Sequence, residues 1–148
     1  MEIDPEKIRA FFSADRYAAA AGIFIESVTE DSVVCSMKIT DTHRNAAGAV
    51  QGGAIFTLAD LAFAVHSNLA LACGADTGVT VGQSCSISYL KSSRGSRLIA
   101  RSLCLSKGRN MSVYRISVED DLGVPIAEMH GNGFTTQSPL GKREAHRG

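Results

Sequence analysis

AVQGGAIFTLADLAFAVHSN, residues 49–68, is the stretch on which the fold turns. Gly52 and Gly53 open a run that stays apolar on nearly every side to about Cys73, where Gly74 supplies a stop signal. The spacing predicts one long helix starting at Gly52 or Gly53. A helix that is apolar all round must be buried all round. Its one interior acid, Asp60, is therefore a carboxylate that needs a partner, a hydrogen bond or a route to solvent.

Working outward, the period on both sides of this run changes to two. Gly22–Val28 and Val33–Ile39 flank the turn-like Thr29-Glu30-Asp31-Ser32 and read as a hairpin. Beyond the helix, residues 78–91, 96–107, 110–119 and 124–136 are strand candidates separated by tight turns, which predicts a four-stranded antiparallel meander. Ile8, Phe11 and Phe12 follow Pro5 at helical spacing, so residues 5–13 read as a short amphipathic helix. The tail from Ser138 is polar. A single domain over 1–148 follows from the length. Its economical arrangement is a curved sheet about the helix, with a second subunit on whatever helix surface the sheet leaves open.

Composition narrows the function. Lys+Arg and Asp+Glu each number 15, so no net field favours nucleic acid or an acidic membrane. The four cysteines lie apart with no Cys-x-x-Cys pair, and no histidine stands at metal-ligand spacing from them, which fits free thiols in the cytoplasm and no metal site. The start, MEIDPEKIRAFF, lacks the basic and apolar regions of a signal peptide. Residues 54–73 approach the length of a membrane span, but Asp60 at mid-bilayer costs about 3 kcal/mol, so no membrane role is expected.

The helix start offers chemistry. The first N–H groups of a helix have no intrahelical acceptor, the macrodipole favours negative charge there, and Gly52 and Gly53 remove the side chains that would keep a ligand away. That is the geometry of an oxyanion hole. A tight turn or close packing also explains a bare glycine pair. Thr57, Asp60 and Ser67 form a narrow polar stripe along the helix. Gly52 and Asp60 are separated by a rise of ~12 Å, too far to touch one small reacting group. Two such helices pairing antiparallel in a twofold dimer bring the Asp60 of one chain toward the glycines of the other.

The set His43-Arg44-Asn45, Gly48, Gln51-Gly52-Gly53 and Leu58-Ala59-Asp60, with the strand VTVGQSCSISYLK and the late segment VPIAEMHGNG, resembles the hotdog-fold acyl-CoA thioesterases of the PaaI (phenylacetic acid degradation) type. The resemblance runs over about residues 20–136. It implies an α+β hotdog domain, an antiparallel sheet of five to six strands around one long central helix, assembled as homodimers that commonly pair into homotetramers. Carried over residue by residue, it implies that the Gly52 N–H polarises a thioester carbonyl and that Asn45 positions substrate or water. Asp60 of the neighbouring chain is then general base or nucleophile. Expected substrate contacts are His43, Gly53, Phe56, Gln83, Ser84, Lys107 and Arg109, the last two among the cations that could meet the CoA phosphates. No cofactor is implied beyond the CoA of the substrate. Two departures stand out: Gln51 occupies the place of the family's usual histidine and cannot titrate, and Gly82 stands where related enzymes carry a hydroxyl.

The leading expectation is hydrolysis of an aromatic or short- to medium-chain acyl-CoA to free acid and CoA. The alternative is a non-catalytic acyl-CoA binding or sensing protein, which would keep the pocket and tolerate Gln51 but gain nothing from a desolvated acid beside a thioester. A hotdog-type hydratase and a DNA-binding regulator fit less well, lacking a suitably spaced Asp–His pair and a helix-turn-helix module.

Overall fold

Period-two patterning does produce six strands in the computed structural model, which describes residues 1–137. The elements, in chain order, are α1 (Pro5–Phe12), α2 (Arg16–Ala20), β1 (Ile23–Val28), β2 (Val33–Lys38), α3 (Gly52–Ser67), α4 (Leu69–Ala72), β3 (Thr80–Tyr89), β4 (Arg97–Lys107), β5 (Met111–Asp120) and β6 (Pro125–Thr135). One antiparallel sheet in the order β1-β2-β4-β5-β6-β3 curves around α3. The polar tail from Ser138 lies outside the described residues. Among the described residues, no helix is long and apolar enough to cross a membrane.

The hairpin forms as expected, but the four-stranded meander does not. β4, β5 and β6 make a meander of three, while β3 sits on the far side of β6 and β4 pairs instead with β2. The connection from Leu90 to Ser96 therefore crosses one end of the sheet. The N-terminal helix is followed by a second short helix, α2, capped by Asp15, whose carboxylate accepts from the Ala18 N–H.

α3 seats against the concave face through Phe63, which is 2% exposed. Its ring lies over a floor without side chains: a Cβ added to Gly131, Gly133 or Gly82 would stand 3.1, 3.3 or 3.4 Å from it. Tyr114 meets the ring edge-on at 5.5 Å. The glycines of β6 thus let the helix approach where a side chain would crowd the ring, and Leu58, Ala62 and Val65 fill the rest of the contact without exposure.

The expected single helix to Cys73 is interrupted at Asn68. The Asn68 side chain accepts from the Thr80 N–H at 2.8 Å and donates to the Thr80 carbonyl at 3.0 Å, pairing with β3 as a neighbouring strand would. That draws residue 68 out of helical geometry, and α4 follows as a separate turn.

Among the described residues, two adjacent surfaces beside the helix start stay open. On α3, the half-exposed residues Phe56, Thr57, Asp60, Ala64 and Ser67 run in one stripe along the helix. Next to it, β3 is an edge strand exposed along most of its ten residues, and TVGQSCSISY contains no charge and no proline. Replacing Phe63 by Ala should lower the free energy of unfolding by about 3 kcal/mol or more, read by urea denaturation, because the flat glycine floor has no side chains to collapse into the space.

Candidate active site

Gln51 sets the geometry of the α3 start. Its main chain is extended, its side-chain oxygen accepts from the Gly53 N–H at 2.8 Å, and its carbonyl accepts from the N–H groups of Ala54 and Ile55. Among the described residues, the Gly52 N–H is then the one first-turn donor with no acceptor. Gln51 thus acts as a helix cap, a role that needs hydrogen-bonding capacity and no titration. The same bond withdraws the Gly53 N–H from the substrate contact expected of it.

Gly52 opens into a cleft of about 450 Å³ walled by Asn45, Ala49 and Val50 on one side and by Tyr89 and the residues up to Ser93 on the other. The Tyr89 hydroxyl donates to the Gly52 carbonyl at 3.0 Å, and its ring lies 3.2 Å from where a Cβ at residue 52 would be. A side chain at residue 52 would crowd the Tyr89 ring, which glycine avoids. Asn45 joins Gly52 in this cleft, but its side-chain oxygen is committed: it accepts from the N–H groups of Ala47 and Ala49, shaping the loop. Its Nδ2 group remains as a donor.

The other expected contacts divide. His43 is buried beside a second cleft of about 440 Å³ on the opposite flank of Gln51. Its Nδ1 accepts from the Thr40 N–H at 3.0 Å, so the ring hydrogen sits on Nε2, which donates to the Ala21 carbonyl at 2.7 Å. Both nitrogens hold the chain rather than a ligand. Phe56 is half-buried on the open stripe of α3. Gln83 is the extra residue of a bulge between Gly82 and Ser84. Ser84 pairs with Asn132, between the inward-facing Gly131 and Gly133, and so faces the outer side of the sheet, where its hydroxyl accepts from Asn132 Nδ2 at 2.9 Å. Lys107 and Arg109 line a third cavity, of about 360 Å³, at the far end of α3. The length of that helix, ~24 Å, separates them from Gly52.

Asp60 lines neither cleft at the helix start. The hydroxyls of its stripe neighbours fold back, Thr57 onto the Gly53 carbonyl and Ser67 onto that of Phe63, leaving the carboxylate as the outward polar group. Burial, then the charge of Asp15, pushes its pKa up. It faces the inner side of β3: burial, and then the Asp60 charge, raise the Cys85 thiol. Tyr89 and Asp15 were not expected to matter. Tyr89 falls on the inner face of β3 by period two, but no local signal places α2 beside the middle of α3. His66 is structural, its Nδ1 on the Ser102 hydroxyl and its Nε2 on the Glu30 carbonyl.

Residues 7–130 match the family described as a domain of unknown function (DUF4442). A Deinococcus radiodurans protein named "Putative esterase" is 36% identical over 104 residues, 69% of this chain, and the chain spans 66% of that relative's length. The acyl-coenzyme A thioesterase PaaI of Escherichia coli is 29% identical over 127 residues, covering 85% of this chain and 86% of the relative. The solved E. coli PaaI structure superposes with a TM-score of 0.78, at 26% identity over 91% of this chain and 95% of the other. A Streptococcus mutans protein solved with acetyl CoA bound superposes with a TM-score of 0.70, at 25% identity over 79% of this chain and 90% of the other.

A raised folded-state pKa means that the folded protein binds the Asp60 proton more tightly than the unfolded chain does. Stability is then lost as pH rises through the interval between the unfolded and folded values. Asp60→Asn should therefore raise the thermal midpoint at pH 7. The gain should shrink as the buffer is taken below the ordinary aspartate range of ~3.9, which a series of melts across pH would show.

Proposed function

This chain belongs to the DUF4442 family and has the hotdog fold of PaaI-type thioesterases, and we propose that it hydrolyses acyl-CoA thioesters to free acid and CoA. The observation that carries the reading is the separation of two groups that one chemistry needs. A donor without an acceptor, the Gly52 N–H, opens into a cleft, and a carboxylate with raised proton affinity, Asp60, stands two turns along the same helix and outside that cleft.

A second copy of the chain unites them. The uncharged β3 edge offers a row of free backbone groups to a second β3, and the adjacent stripe of α3 meets its symmetry mate antiparallel. Pairing Asp60 of one chain with Gly52 of the other puts the twofold axis near Phe56, which then contributes to both acyl pockets. The same offset carries Lys107 and Arg109 toward the partner's Asn45 loop, where they can meet phosphates. A dimer of dimers and a cytoplasmic location fit this reading, which needs no metal or redox cofactor.

In the reaction, the thioester carbonyl oxygen accepts from the Gly52 N–H and Asn45 Nδ2, donors fixed before charge develops. Asp60 of the other chain takes a proton from water as its oxygen adds to the carbonyl carbon; collapse of the tetrahedral intermediate breaks the C–S bond, and the protonated Asp60 returns the proton to the departing sulfur, which releases CoA and restores the base. Burial and Asp15 move Asp60 toward the proton affinity that suits a base near neutral pH.

Thiol release from acetyl-, phenylacetyl- and medium-chain acyl-CoAs tests this. Wild type should turn over at least one class, and Asp60→Asn should lose ~100-fold or more of kcat, the scale of a positioned base. Equal rates would remove Asp60 from the mechanism, and saturable acyl-CoA binding without thiol release would favour the sensing role. Because the base must be ionised, the rate should fall as pH drops through a value above the ordinary aspartate range. Asp15→Asn should move that acid limb downward in the pH profile.

A further inference from the structure

Asp120 closes β5 far along the chain from Gly52 and is 1% exposed. Its two oxygens serve two different segments. Oδ1 accepts from the N–H groups of Leu122 and Val124 at 3.0 and 2.9 Å, closing the β5–β6 turn. Oδ2 accepts from the Ser93 hydroxyl and the Arg94 N–H, each at 3.0 Å, and from the Gly95 N–H at 3.1 Å. Burial acts to raise this carboxyl, but the hydrogen bonds from Val124, Arg94, Ser93 and Leu122 outweigh it and hold the pKa at about 2. The ionised form is thus the working form throughout the physiological range.

The segment held by Oδ2 belongs to the connection that crosses from β3 to β4, and Lys91, Ser92 and Ser93 of that connection form one wall of the cleft at Gly52. The Leu90 and Lys91 N–H groups still reach the Ile126 carbonyl, at 2.8 and 3.5 Å, and from Ser93 to Gly95 the connection is held by Asp120. Asp121 adds a neighbouring anchor, accepting from the Ser96 N–H and hydroxyl at 2.9 and 2.8 Å. We propose that Asp120 is a positioning residue for substrate: by holding Ser93, Arg94 and Gly95 through Oδ2 it fixes the Lys91–Ser93 wall, so that the Lys91 cation and the Ser92 hydroxyl stand ready for the anionic, hydrogen-bonding CoA portion of the ligand. This rests on the thioesterase reading. It deepens that reading by dividing the cleft into a reacting side at Gly52 and Asn45 and a holding side set by a buried anion.

The two oxygens each hold one segment. In Asp120→Asn an NH₂ group replaces one of them and faces backbone N–H donors whichever way the amide turns, so wall and turn can no longer both be held. Gly95→Ala reaches the same wall from the other side, since a methyl there runs into the Asp121 carboxylate and crowds Asp120. Steady-state kinetics with acetyl-CoA and phenylacetyl-CoA, beside calorimetric titration with CoA alone, read the result. KM and the CoA dissociation constant should rise about tenfold in both variants with kcat within about threefold of wild type, the pattern of lost binding rather than lost chemistry.

A folded Asp120→Asn or Gly95→Ala protein with wild-type KM and CoA affinity would overturn the proposal, and so would a fall in kcat at unchanged KM. If Asp120→Asn does not fold, Gly95→Ala and Ser93→Ala decide. Wild type that binds CoA without hydrolysing its esters would leave the wall testable by affinity while the thioesterase reading falls. Wild type that neither binds CoA nor releases thiol would overturn both.

Discussion

The contact between Phe63 and the glycine floor governs the rest of the molecule. A ring laid flat on Gly82, Gly131 and Gly133 fixes both the depth of α3 in the sheet and its rotation about its own axis. Rotation decides which residues stay outside. With Phe63 inward, Asp60 is carried to the stripe that the sheet does not cover, and the helix start is delivered to Tyr89 at the end of β3. The placement of donor and acid is thus a consequence of packing, and a close one, because interiors at crystal-like density leave little freedom to slide.

Much of this was legible in the sequence. The long helix, its glycine start and its single interior acid follow from residue type and spacing, and so does the β1–β2 hairpin. The need for something to cover α3 follows from its composition. What escaped were pairings between residues distant in the chain. Nothing local tells β3 to leave β4 and join β6, nor Asn68 to pair with Thr80 across twelve residues and end the helix early. Sequence also does not show which groups spend their hydrogen-bonding capacity locally. His43, Gly53 and the Asn45 oxygen look available in a motif, and are occupied by Ala21, Gln51 and the 47–49 loop.

Gln51 is instructive in this respect. It supplies one side-chain oxygen to one amide and one carbonyl to two more, so the first turn of α3 is closed except at Gly52. Gln51 thus sets orientation without a titrating ring. Asp120 works in a similar way at the other wall, where a charge with no chemistry of its own fixes two loops at once.

The bare edge of β3 carries a consequence for the life of the chain before assembly. Ten uncharged residues with no proline present unpaired main-chain groups to whatever strand arrives first. A nascent molecule is therefore open to indiscriminate β-addition along this edge until something covers it, and its solubility depends on how quickly that happens. The edge that the proposed dimer would bury is in this sense the one most exposed to misassembly.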